Sequence, residues 1–100
     1  MIIVTGHMRV DASQRDAFIE NAKDLMTKSR AEKGCGGYAM CADPIDPEVV
    51  LITEQWESSE AIDAHMASDH FVAFGGSLAD FTISEVDVIK HEGATSSKLM

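Results

Sequence analysis

The middle of the chain runs from an apolar strand directly into a polar, serine-capped helix. Residues 49–52 are all apolar, and the acidic segment that follows carries the only tryptophan, Trp56. Ser58 or Ser59 can cap a helix that continues to about Met66 and carries His65. A strand that ends in tryptophan, followed at once by a histidine-bearing helix, can supply the wall and one polar group of a small pocket.

Periodic patterns on both sides of this segment predict the remaining elements. Asp11 or Ser13 is expected to cap the first helix, with Ser13 and Asp16 spaced as in a capping box, and Gly34 is expected to end it. The predicted elements are a strand over residues 1–10, a helix over about 13–33, strands over 35–42 and 48–56, a helix over 58–66, a further helix from 68, and a strand over 81–91.

This order is β-α-β-β-α-β, which predicts the ferredoxin-like α+β fold with its helices on one face of an antiparallel sheet. One hundred residues form one domain. We expect that domain to cover residues 1–92, and residues 93–100, which are small and polar, to form a flexible C-terminal tail.

The two faces of the predicted sheet both carry apolar residues, although the helices can cover only one of them. Alternation in the first strand points Ile3 away from the helices, and we assign Val50, Ile52 and Trp56 of the third strand to that same far face. At about 25 cal/mol per Å² of buried apolar surface, exposing these side chains would forfeit several kcal/mol. The expected remedy is a homodimer in which two sheets pack face to face around a barrel-like interior.

Composition and charge exclude several functional classes. No apolar run approaches the ~18 residues of a membrane span, and no leader-like segment opens the chain. The net charge is −9, with two Lys/Arg against twelve Asp/Glu in residues 34–100, so binding to nucleic acid is not expected. Cys35 and Cys41 would lie too far apart on one strand for a disulfide, which favours a cytoplasmic protein.

Three short motifs in this predicted order resemble the antibiotic biosynthesis monooxygenase family, whose members are dimeric α/β barrels. The motifs are Gly34-Cys35-x-Gly37-Tyr38-Ala39, Glu54-Gln55-Trp56-Glu57-Ser58, and Ala64-His65 with His70. The pattern is most similar to that of the small quinol monooxygenases and covers about residues 1–92. The resemblance implies that each subunit binds a small aromatic quinol or phenol between sheet and helices. It further implies oxidation by O₂ without flavin, haem or metal.

Departures from the family pattern favour alternative functions. Some oxygenases of the family carry asparagine, tyrosine and arginine at the positions of Ile52, Ile62 and Gly76, and these polar groups are missing here. One alternative is therefore a small-molecule-binding dimer that has lost the chemistry. Another is a non-oxidative, isomerase-like enzyme of the same fold.

The candidate site residues follow from the motifs and from the predicted faces. His65 is the candidate base or hydrogen-bond donor and His7 a second polar contact, because histidine titrates near neutrality. The candidate substrate-binding residues are Trp56, Phe74, Phe71, Tyr38 and Ile52.

Each candidate also has a purely structural interpretation. Trp56 can plug the core, His65 can be an orienting histidine bonded to Glu54, and His7 can pack in a dimer interface. Phe71 and Phe74 can belong to the core. His70, in the first turn of its helix, is expected to face solvent or act as a cap.

No metal and no organic cofactor are expected. His65 and His70 are five residues apart, about 140° around a helix, and so are not predicted to form a metal-binding pair. No nucleotide-binding glycine loop and no CxxC motif occurs in the chain.

Overall fold

The structure is a computed structural model of one chain and describes residues 1–100. Every predicted strand is present within two residues of its predicted bounds. The elements are β1 (Ile2–Val10), α1 (Arg15–Arg30), β2 (Cys35–Ala42), β3 (Val49–Trp56), α2 (Ser59–Met66), α3 (Asp69–Ser77), a short 3-10 helix (Leu78–Asp80) and β4 (Ile83–His91). Residues 92–100 contain no helix or strand, and no helix is both long enough and apolar enough to cross a membrane.

The four strands form one antiparallel sheet in the order β2-β3-β1-β4, and all helices lie on the same side of it. This is the predicted ferredoxin-like α+β fold. Helix α1 lies against β2, α2 packs at β3, and α3 packs against α1. Phe18 joins these layers, because its ring makes edge contacts with Phe74 at 5.8 Å and Phe81 at 5.3 Å.

The sheet register corrects the prediction for the faces of β3. Ile2 is paired with Trp56, Gly6 with Ile52 and Met8 with Val50. Partners in an antiparallel pair point to the same side of the sheet, so these β3 side chains face the helices. The assignment of Val50, Ile52 and Trp56 to the far face was therefore wrong. Alternation within β3 identified two sets of side chains, but only pairing with β1 determines which set faces the helices.

The core is built on this helix-facing side of the sheet. Its buried apolar residues are Ile2, Val4, Met8, Val10, Phe18, Ala22, Leu25, Tyr38, Met40, Val50, Ile52, Trp56 and Ala61. Phe71, Phe74 and Leu78 are only partly buried against this cluster, and α3 contains no fully buried residue. The helix layer is therefore incomplete beside β4, where Val86 and Val88 point to the helix side yet remain exposed. A groove opens there.

The far face of the sheet is mixed in character. Ile3 and Leu51 lie there beside polar side chains that hydrogen-bond in pairs. His7 bonds the carboxylate of Glu85, and the Arg9 guanidinium donates to a carboxylate oxygen of Asp46 at 3.1 Å. This face therefore has less exposed apolar surface than the sequence predicted.

Serine caps begin two of the three helices, as predicted. The Ser58 hydroxyl accepts a hydrogen bond from the Ala61 backbone N–H, and the Ser68 hydroxyl accepts one from Phe71. The cap predicted for α1 was wrong. Asp11 instead accepts hydrogen bonds from the backbone and hydroxyl of Ser13, in a turn that precedes the helix. Helix α1 starts after Gln14 without a side-chain cap.

Replacement of Ser29 by alanine is expected to stabilise the protein. The Ser29 side chain is fully buried in α1, and its hydroxyl has no hydrogen-bond partner. Ser29→Ala removes this unpaired polar group and improves helix propensity, so the free energy of unfolding should rise by about 1 kcal/mol. Urea denaturation of the two proteins measures the difference. A loss of stability of similar size would mean that the hydroxyl is hydrogen-bonded in solution.

Candidate functional site

Two adjoining cavities occupy the gap between the sheet, α2 and α3. One measures about 330 Å³ and the other about 240 Å³, and Glu54, Phe71 and Val88 line both. The first is bordered by His65 and Ile62, and the second is mostly apolar. The remaining residues that line the second cavity are Met8, Tyr38, Met40, Ile52, Phe74, Gly75, Leu78 and Val86. Together the two cavities form the groove beside β4, which is an apolar slot with a few polar groups.

His65 sits in the last turn of α2 and is enclosed by aromatic rings. Its side chain is only 3% exposed, and its ring centroid lies 4.8 Å from Trp56, 5.2 Å from Tyr38 and 5.0 Å from Phe71. Its Nδ1 lies 2.9 Å from a carboxylate oxygen of Glu32. No protein atom hydrogen-bonds its Nε2, which is not sealed in the interior. The imidazole is thus fixed at one nitrogen and available at the other.

Glu32 joins His65 to a second histidine. It lies in the turn between α1 and β2, and the same carboxylate oxygen also contacts Nε2 of His70. The His70 side chain is 14% exposed, so the expectation of a solvent-facing or capping residue was wrong. His65 and His70 belong to α2 and α3, so their spacing along a single helix does not describe their geometry.

These three residues could also hold a metal ion. One donor atom from each of Glu32, His65 and His70 lies within 4.8 Å of the other two. Two imidazoles and a carboxylate form a common donor set for divalent transition metals. His65 and His70 can share an ion because they approach it from two different helices.

Trp56 orients a partly buried carboxylate at the cavity. Its indole Nε1–H donates to Oε1 of Glu54 at 2.8 Å. Burial raises the pKa of Glu54, whereas the hydrogen bond from Trp56 and the nearby His65 act in the opposite direction. The Trp56 ring is 1% exposed and borders neither cavity of the groove. Trp56 packs against His65 and hydrogen-bonds Glu54. It does not line the groove and so is not the pocket wall that the sequence predicted.

Tyr38 supplies a second polar group to the groove. Burial raises the pKa of Tyr38 well above its usual value, so the phenol remains protonated at physiological pH. Its hydroxyl makes no hydrogen bond to the protein and is not sealed in the interior. Tyr38 is therefore available as a hydrogen-bond donor to a ligand.

The structure brings most of the predicted site residues together at the groove, with two exceptions, Trp56 and His7. His65, Tyr38, Phe71, Phe74 and Ile52 border the groove. His7 lies on the far face of the sheet, where it bonds Glu85 and cannot reach a ligand in the groove. Its assignment as a second polar contact therefore finds no support in the geometry.

Three residues of this site, Glu32, Glu54 and His70, were not among the sequence candidates. Glu54 had a usable signal, because it alternates with Ile52 and Trp56 and must share their face. A carboxylate on an inward-facing strand position is rare enough to indicate a site. Glu32 had no such signal, because it lies in a turn and meets its histidines only through the tertiary fold.

Replacement of Glu54 by glutamine is expected to stabilise the protein in a pH-dependent way. Because burial raises the pKa of Glu54, the folded state binds its proton more tightly than the unfolded state does. The contribution of this proton to the free energy of unfolding is complete below the pKa of Glu54 in the unfolded chain, about 4.3. It is lost as the pH rises through the pKa of Glu54 in the folded protein.

Glu54→Gln should therefore raise the melting temperature at about pH 7 and have less effect at about pH 4. Glutamine can still accept the hydrogen bond from Trp56. Thermal melts of both proteins across this range test the expectation. An equal effect at both pH values would show that ionisation of Glu54 is not the cause.

Comparison with known proteins agrees with this architecture. The Bacillus subtilis protein "Putative monooxygenase YcnE" is 25% identical over 92 residues, which cover 92% of this chain and 97% of that protein. The Escherichia coli K12 protein "Probable quinol monooxygenase YgiN" is 27% identical over 84 residues, with coverage of 74% and 81%.

The fold is also found among solved structures. A Deinococcus radiodurans protein described as a "putative antibiotic biosynthesis monooxygenase" superposes with a TM-score of 0.89 at 22% identity. The superposition covers 100% of this chain and 99% of that one, and it supports the fold alone. The model of the family described as "Antibiotic biosynthesis monooxygenase" matches residues 1–76. The chain therefore belongs to the antibiotic biosynthesis monooxygenase family.

Proposed function

We propose that this protein is a monooxygenase that oxidises a small aromatic quinol or phenol with O₂ and needs no organic cofactor or metal for the reaction. The observation that carries the proposal is the state of His65. It is buried among aromatic rings, held at Nδ1 by Glu32 and without a protein partner at Nε2, and it borders the groove. Membership of the family, and relatives that are named monooxygenases, support the same reaction class.

The contact with Glu32 gives His65 the form that a base requires. A carboxylate accepts a hydrogen bond from Nδ1–H, which leaves the lone pair of the neutral imidazole on Nε2. A substrate hydroxyl in the groove can then pass its proton to Nε2. The role of Glu32 is to position the ring, because it acts through His65 and does not touch the substrate.

The groove suits a flat, apolar ring with polar substituents. Phe71, Phe74 and Val88 form its apolar sides. Tyr38 can donate a hydrogen bond to one substrate oxygen while His65 receives the proton of another. Glu54, which borders both cavities, can accept a further hydrogen bond.

Removal of the substrate proton allows the substrate to react with O₂. The quinolate is electron-rich and can pass one electron to O₂, after which the two radicals combine through a new carbon–oxygen bond. Cleavage of the O–O bond places one oxygen atom in the product and releases the other as water. A hydroquinone and O₂ thus give a hydroxyquinone and H₂O, with all four electrons supplied by the substrate. Exclusion of bulk water by the apolar slot favours this course.

Oxygen uptake by purified, EDTA-treated protein with hydroquinones and naphthoquinols, corrected for autoxidation, tests this proposal. Uptake should saturate with substrate, and His65→Ala should lower kcat/KM at least about 100-fold, as expected for loss of a general base. His91→Ala is the matched control, because His91 is exposed on β4 and bonds Thr5 on the far face. Saturable binding without uptake would instead support a non-catalytic binding protein. Turnover without O₂ would support an isomerase-like enzyme.

We also propose that two chains pair through the far faces of their sheets. Ile3, Leu51 and Ile89 are apolar and lie on that face, where no helix covers them. Leu51 and Ile89 are 38% and 50% exposed, although both lie within strands. A second sheet packed against this face would remove them from water.

Leu51→Glu should therefore convert the dimer to a monomer, since it would bury a charge in the centre of that interface. Sedimentation velocity measures the mass directly. Val72→Glu is the matched control, because Val72 is an exposed valine on α3, on the opposite side of the molecule. A parent protein that is already monomeric at micromolar concentration, or a dimer unaffected by Leu51→Glu, would contradict the proposed pairing.

A further inference from the structure

We propose that Glu32, His65 and His70 form a binding site for one divalent transition-metal ion of the Zn²⁺ class. This site shares His65 with the groove, and the proposed oxidation requires no metal in it. The observation behind it is the convergence of two imidazole nitrogens on one carboxylate oxygen. In this arrangement each histidine gives its hydrogen bond to the same acceptor.

A metal ion can replace those two hydrogen bonds with three coordination bonds. The donor atoms Nδ1 of His65, Nε2 of His70 and the carboxylate oxygen of Glu32 lie within 4.8 Å of one another. Zinc binds imidazole nitrogen at about 2.0–2.1 Å and carboxylate oxygen at about 2.0–2.2 Å, so small side-chain shifts suffice to place an ion between the three atoms. The set contains two nitrogens, which favours a transition metal over the oxygen-binding Mg²⁺ and Ca²⁺.

The three ligands are held by separate parts of the fold before any ion arrives. Glu32 is fixed by the turn after α1, His65 by the aromatic rings around it, and His70 by the first turn of α3. All three side chains are largely buried, with Glu32 16% exposed. Little conformational entropy remains to be lost on binding, and the surrounding protein limits competition from water.

A polar cavity borders the cluster at His70. The cavity measures about 130 Å³ and is lined by His70, Asn21, Asp24 and Ser77, together with apolar side chains. Asp24 adds a carboxylate to its lining, which favours cations near His70. The net charge of −9 also favours the approach of cations.

His65 cannot bind a metal at Nδ1 and act as the proposed base at the same time. This consequence rests on the proposed function. A metal on Nδ1 takes the place of the proton that Glu32 accepts, which leaves the proton of the neutral ring on Nε2. His65 then cannot accept a proton from a substrate in the groove. We therefore expect Zn²⁺ to inhibit oxygen uptake and EDTA to restore it.

Isothermal titration calorimetry of the EDTA-treated full chain with Zn²⁺ tests the site without any substrate. One Zn²⁺ should bind per chain, and Mg²⁺ at the same concentration should not compete. Co²⁺ provides a second readout, because it is paramagnetic and should quench the single tryptophan, whose ring lies 4.8 Å from that of His65. Neither measurement depends on whether the protein is an oxygenase.

Two ligand variants and one control assign the bound ion to this cluster. His70→Ala and Glu32→Gln should each weaken Zn²⁺ binding by more than the about 10–100-fold that loss of an outer-shell partner costs. His91→Ala should leave both the affinity and the Co²⁺ quenching unchanged. Circular dichroism identifies any variant that fails to fold, in which case the other variant decides. Absence of Zn²⁺ binding to the parent protein, or unchanged binding to a folded His70→Ala, would overturn the proposal.

Discussion

The contact between the Glu32 carboxylate and two histidines holds the candidate site together. It ties the turn after α1 to the end of α2 and the start of α3, three segments that are separate in sequence. A buried carboxylate requires such partners, because a charge withdrawn from water and left unpaired is costly. The same contact fixes the ring of His65 and therefore determines which nitrogen carries the proton. The orientation of the His65 ring, the position of its proton and the capacity of the cluster to bind a metal all depend on the Glu32 carboxylate.

Incomplete coverage of the sheet creates the space in which this chemistry can act. Helices α1 and α2 pack against β2 and β3, whereas α3 contributes only partly buried residues. The helix side of β4 is left open at Val86 and Val88. Trp56 lies in the core, and its hydrogen bond holds Glu54, which borders both cavities of the groove. A fully packed helix layer would be more stable, but it would leave no room for a ligand.

The sequence predicted the elements of this fold more successfully than their relations in space. Strand bounds and the caps at Ser58 and Ser68 were correct because each depends on neighbouring residues. The face occupied by Val50 and Trp56 was wrong because it depends on pairing between β1 and β3. His65 and Tyr38 were identified as site candidates through local motifs. The role of His70 was missed because its partner, Glu32, is brought to it only by the folded chain.

In the proposed reaction a substrate proton passes to His65 and one atom of O₂ is inserted into the substrate. Single-turnover oxidation of a quinol under ¹⁸O₂, with the product analysed by mass spectrometry, tests this most directly. We predict one ¹⁸O atom in the product, derived from O₂, and the second ¹⁸O atom in water. A product that forms without any ¹⁸O, or that forms equally well under nitrogen, would contradict the monooxygenase assignment.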